Sequence, residues 1–91
     1  MNRNQLALDY GTVQFVVDSY MGVYFIPYEE ADDSYQWHVS ELNHSHYERL
    51  YRELTEYVKE IGFTEAPFSY KEFLNICERL FEMYQILRKL P

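Results

Sequence analysis

The sequence predicts an α+β domain: a small antiparallel β-sheet of two or three strands followed by an antiparallel helical hairpin. Three observations carry this expectation. Residues 12–28 and 35–39 alternate in the two-residue period of strands, residues 45–61 and 69–90 repeat apolar positions at steps of three and four, and both helical stretches open on a Ser-x-x-Glu pattern. At 91 residues the chain is one domain, with roughly 60 to 65% of its unfolded surface available for burial, so its core is thin.

Residues 1–11 read as an irregular or helical lead-in, with Asn2 or Asn4 available to cap a turn through Leu8. From Thr12 the pattern changes. Val13, Phe15 and Val17 fall on one side of a strand and Gln14 and Val16 on the other, and Val23 and Phe25 then alternate with Tyr24, Ile26 and Tyr28. Asp18, Ser19 and Gly22 supply turn chemistry between them, so the two runs form a β-hairpin. Pro27 has no amide hydrogen, which makes the second strand an edge there or ends it. Leu6, Tyr10, Val13, Val17, Tyr20 and Tyr24 also lie at helical spacing, which makes an all-α three-helix domain the alternative. Two internal glycines, each costing ~1 kcal/mol in a helix relative to alanine, weigh against it.

After the acidic stretch 29–34, residues 35–39 read as a third strand, with Tyr35, Trp37 and Val39 on one side. Ser45 and Glu48 form a capping box for the first helix, whose stripe is Tyr47, Leu50, Tyr51, Leu54, Tyr57, Val58 and Ile61, closed by Gly62 in the left-handed cap position. Ser69 and Glu72 start the last helix in the same way. Its apolar arc runs through Phe73, Cys77, Leu80, Tyr84 and Leu87 and is flanked by Leu74, Ile76, Phe81, Met83 and Ile86, so the helix needs cover on two sides.

The formal net charge is −7, and it is unevenly spread. Residues 1–47 hold seven acids against the single base Arg3, whereas residues 48–91 hold eight acids and seven bases. Such a negative half repels nucleic acid and suits a protein partner with a basic surface, or serves solubility alone. No run approaches the roughly 20 apolar residues of a membrane span, so no membrane partner is expected. The N-terminus lacks the apolar core of a signal peptide. The single cysteine, Cys77, fits a reducing compartment, and a cytoplasmic location is the expectation.

No cofactor, metal or catalytic motif is present. His38, His44 and His46 have no metal-ligand spacing, Cys77 lies on an apolar arc with no neighbouring base, and three glycines make no phosphate loop. The protein is therefore expected not to be an enzyme. Its unusual feature is ten tyrosines, five of which (Tyr10, Tyr20, Tyr24, Tyr28 and Tyr35) lie with Trp37 in the acidic half. Aromatic residues dominate protein interfaces, and adjacent acids steer a positive partner. The candidate partner-binding residues are Tyr24, Tyr28, Glu29, Glu30, Asp32, Asp33, Tyr35 and Trp37. On a basic surface that normally takes nucleic acid their carboxylates would stand in for phosphates, as in small inhibitors of restriction or CRISPR nucleases and in nuclease immunity proteins, a likeness of charge and size alone. The competing expectation is a homodimer with a structural role, in which Leu80, Met83, Leu87 and Leu90 of the last helix form the interface.

Overall fold

The computed structural model describes residues 4–27 and 34–89. Four antiparallel strands, β1 (Gln5–Tyr10), β2 (Val13–Asp18), β3 (Gly22–Pro27) and β4 (Tyr35–His38), lie side by side in chain order and are followed by helices α1 (Tyr47–Glu60) and α2 (Tyr70–Lys89). The class is α+β, and the all-α alternative is excluded by the continuous ladder over residues 5–26.

The lead-in corrects the expectation of two or three strands. Gln5–Tyr10 is a fourth strand, paired with β2 from Gln5 opposite Asp18 to Tyr10 opposite Val13. Leu6, Leu8 and Tyr10 turn toward the core while Gln5, Ala7 and Asp9 stay exposed, a period of two set in residues of weak β-propensity. Gly11, at φ 64, allows the two-residue connection to β2. Between β2 and β3 a three-residue loop ends on Met21 at φ 69, the left-handed position that such loops require. Pro27 ends β3 opposite Val13, beyond the reach of β4, whose pairing stops at Phe25 with Tyr35. Its missing N–H costs the ladder nothing there.

The first helix also starts differently. Asn43, not Ser45, is the capping residue: its side chain accepts from the Ser45 backbone N–H at 3.1 Å and opens a short 3-10 turn over His44–His46. The helix proper follows at Tyr47 without a side-chain cap of its own. Asparagine caps at least as well as serine and comes earlier in the chain, so the turn nucleates there. The other end signals hold. Gly62 takes φ 106 after α1. The Ser69 Oγ accepts from the Glu72 N–H at 3.1 Å, and the Glu72 carboxylate accepts from the Ser69 N–H at 2.9 Å.

Both helices cover one face of the sheet. Val13, Phe15, Val17, Val23, Phe25 and Trp37 meet Leu50, Leu54 and Val58 of α1 and Phe73, Ile76, Cys77, Leu80, Tyr84 and Leu87 of α2 in a single buried cluster. Leu80 and Leu87, expected as interface in the self-association reading, are thus core residues of one chain; Met83 is half-buried and Leu90 lies outside the described residues. Phe81 and Ile86 are the part of the apolar arc left in solvent, 41% and 54% exposed.

Phe68, in the connector between the helices, is 4% exposed and touches the rings of Tyr10, Phe15, Phe25, Tyr51 and Phe73. Truncating a large buried ring costs the transfer energy plus a cavity, so Phe68→Ala is expected to destabilise by about 3–5 kcal/mol. Phe81→Ala should cost well under half as much because its site is already wet. Urea unfolding of the two variants beside the parent protein checks the order.

Candidate protein-binding face

With the helices on one side, the sheet keeps a second face. Its rows follow from the register. Ala7, Val16, Tyr24 and Gln36 lie side by side across the four strands, and Asp9, Gln14 and Ile26 form the next row. Asp18 and His38 belong to the same face by alternation. None of these residues is lysine or arginine. Gln36, His38, Ala7 and Asp9 are exposed, Gln14, Tyr24 and Ile26 half-buried, and Val16 is buried outside the main core cluster.

Asp18 organises one end of this face. Its carboxylate accepts from the Tyr20 and Gly22 backbone N–H groups at 2.9 and 2.8 Å, holding the β2–β3 loop, and from the Tyr24 hydroxyl at 2.8 Å. That hydrogen bond, with some burial and the nearby negative charge, pushes the Tyr24 pKa up. Gly22 is required for the arrangement: a Cβ there would stand 2.7 Å from the Tyr24 hydroxyl and 2.9 Å from the Asp18 carboxylate. Tyr24 is therefore fixed in orientation, with its ring edge beside Gly22 and its hydroxyl on Asp18. Asp9, at the other end, accepts from the Gln14 side chain at 3.0 Å.

The candidate aromatic residues do not share one face. Tyr24 is on the open side, while Tyr35 and Trp37 point to the helices. Trp37 is 7% exposed and packs against Phe15 and Tyr35, so it is a core residue and not a contact surface. Its indole N–H is buried without a hydrogen-bond partner among the described residues. Tyr35 is half-buried and its hydroxyl donates to Glu53 at 2.9 Å, where Arg49 joins Glu53 and Glu41 at 3.2 and 3.1 Å. Tyr28, Glu29, Glu30, Asp32 and Asp33 lie outside the described residues. Tyr20 stands at the tip of the β2–β3 loop, 80% exposed, and Tyr10 reaches across to Glu72 of α2. Asp9, Val16 and Ile26 belong to the open face and were not among the expected site residues; the alternation of Gln5, Ala7 and Asp9 against Leu6, Leu8 and Tyr10 was the available signal for the first of them.

The remaining reactive side chains have structural surroundings. The His38 ring accepts from the Ser40 N–H at 3.1 Å, His46 sits against the Asn43 amide, and His44 packs its ring on Tyr47. Among the described residues no group of three His, Cys, Asp or Glu side chains is arranged to hold a metal ion. Cys77 is fully buried, and burial pushes its thiol up to about 12, far from the range of a nucleophile at neutral pH. No helix among the described residues is long and apolar enough to cross a membrane.

Burial, then the hydrogen bond to Glu53, raises the Tyr35 pKa from 10.0 to about 12. The folded state thus holds a proton that the unfolded chain releases first. The stability tied to this group is complete below pH 10 and is lost as pH rises from 10 toward 12. Tyr35→Phe is expected to make the fall in stability over that interval shallower, as followed by denaturant midpoints at a series of alkaline pH values.

No curated protein and no solved structure matches the chain. Residues 1–88 match a family model described as a domain of unknown function, DUF7200, and this chain belongs to that family.

Proposed function

We propose that the protein is a non-enzymatic binding module that occupies a basic surface of another protein, using the open face of its sheet together with the acidic stretch that follows β3. The observation that carries this reading is the one-sided sheet. A face with Tyr24, Ile26 and Ala7 at its surface, Asp9 at one margin and, among the described residues, no lysine or arginine is suited to a partner that supplies cations around an apolar centre. In sequence, β3 ends at Pro27 and is followed after Tyr28 by Glu29, Glu30, Asp32 and Asp33, the densest run of charge in the chain. Where the occupied surface normally takes nucleic acid, the protein would act as an inhibitor, its carboxylates taking the place of phosphates. A reducing, cytoplasmic setting belongs to the same proposal and accords with the buried free thiol of Cys77.

Self-association through α2 is the weaker reading, because Leu80 and Leu87, which it would use, are already covered by the chain's own sheet and first helix.

The test is capture of partners from host lysate on the tagged protein, at low salt and at about 0.5 M salt, where the screening length is ~4 Å. A stoichiometric basic partner released at the higher salt is expected, and the combined Glu29→Lys, Glu30→Lys, Asp32→Lys and Asp33→Lys variant should lose it while keeping its circular dichroism spectrum. Ile26→Arg, which places a cation on the open face, should weaken the same partner. Retention of the partner by both variants contradicts the proposal.

A further inference from the structure

The two edges of the sheet are finished differently. In the β1–β2 ladder the Ser19 N–H donates to the Asn4 carbonyl at 2.8 Å, so by alternation the even-numbered residues of β1 face β2 and Gln5, Ala7 and Asp9 turn their backbone N–H and C=O groups outward. At the opposite edge the Val39 N–H donates inward to the Met21 carbonyl, and the outward N–H of His38 is covered by the Glu41 carboxylate at 3.0 Å. There the strand has only four residues before the chain leaves in a 3-10 turn. A short, capped edge is a standard protection against pairing with another chain. β1 is protected less: it has six residues in unbroken register with no proline, bulge or lysine, and one charge, Asp9.

We propose that β1 is a pairing edge and that its occupant is β1 of a second copy of this chain, joined antiparallel about a two-fold axis at Ala7. The strand's own residues select this arrangement. Opposed residues in an antiparallel pair share a face, so Ala7 meets Ala7 of the second copy, Leu6 meets Leu8, and Gln5 meets Asp9. This centre also sets the outward-facing residues of one copy against those of the other, which gives the ladder its full complement of bonds. Asp9, the only charge in β1, then faces a neutral amide donor and not another carboxylate. On the helix side Leu6 and Leu8, half-buried at the margin of the core, gain cover from their counterparts. The sheet becomes continuous through both copies, with the β4 edges outermost. This pairing uses a backbone edge and stands independently of the function proposed for the open face.

Sedimentation velocity over roughly 1 to 100 µM protein is the test. The apparent mass is expected to rise from one chain toward two with concentration. It should rise further with added salt, which screens the repulsion between two chains of net charge −7 and would have the reverse effect on binding of a basic partner. Ala7→Pro removes an N–H that β2 does not use and should leave a folded single chain by circular dichroism. Gln5→Lys, opposite Asp9, should tighten the dimer several-fold, and Gln5→Asp should weaken it. A parent protein that remains a single chain at the highest concentration, or a dimer indifferent to Ala7→Pro and to both Gln5 variants, overturns the proposal.

Discussion

The fold depends on one ring in a loop. Phe68 lies between the two helices, yet its side chain reaches the sheet at Phe15 and Phe25, the first strand at Tyr10, and both helices at Tyr51 and Phe73. In a chain of this size the buried volume is small, and a few large rings must do what many aliphatic contacts do in larger domains. The Phe68 carbonyl also accepts the Tyr51 hydroxyl at 3.0 Å, so the connector is fixed by its backbone as well as by its ring. With the connector fixed, the second capping box at Ser69 and Glu72 starts α2 at a set place, and α2 then lies across β1 and β2.

Most of the large apolar side chains of the strands are thereby drawn to one side of the sheet. The consequence for function is an opposite face that, among the described residues, has no helix upon it and is organised by Asp18 through two backbone amides and the Tyr24 hydroxyl. Asp18 is 7% exposed, and its carboxylate is used inside the structure, whereas Asp9 is the exposed acid of this face. Fixing Tyr24 in advance lowers the entropy lost when that ring is covered, which is how a small rigid surface gains affinity.

Much of this was legible in the residue pattern. The alternation of Val13, Phe15 and Val17 against Gln14 and Val16 gave the hairpin and its core face, and the Ser69–Glu72 box and Gly62 gave helix ends. The first strand was not legible by propensity, because Gln, Leu, Ala, Leu and Asp favour helix or turn and become a strand only through pairing with β2. Trp37 and Tyr35 neighbour the acids in sequence, which points to the surface; their parity with Val39, which places them toward the helices, is the stronger signal. Phe68 could not be singled out, since nothing in the nine-residue connector 61–69 tells a ring that folds inward from one left in solvent. The long apolar arc of α2 overstated what needs covering, as Phe81 and Ile86 remain exposed.

The central claim is that the face of the sheet away from the helices is the working surface. Methyl NMR of the isotopically labelled protein, titrated with a captured basic partner, tests it most directly, because Ala7, Val16 and Ile26 report from that face while Leu54, Val58 and Leu80 report from the core. The account predicts that the first three signals shift or broaden in proportion to bound partner and that the core three stay in place. Perturbation confined to the Met83 and Ile86 methyls on α2, with the sheet methyls unmoved, would contradict it.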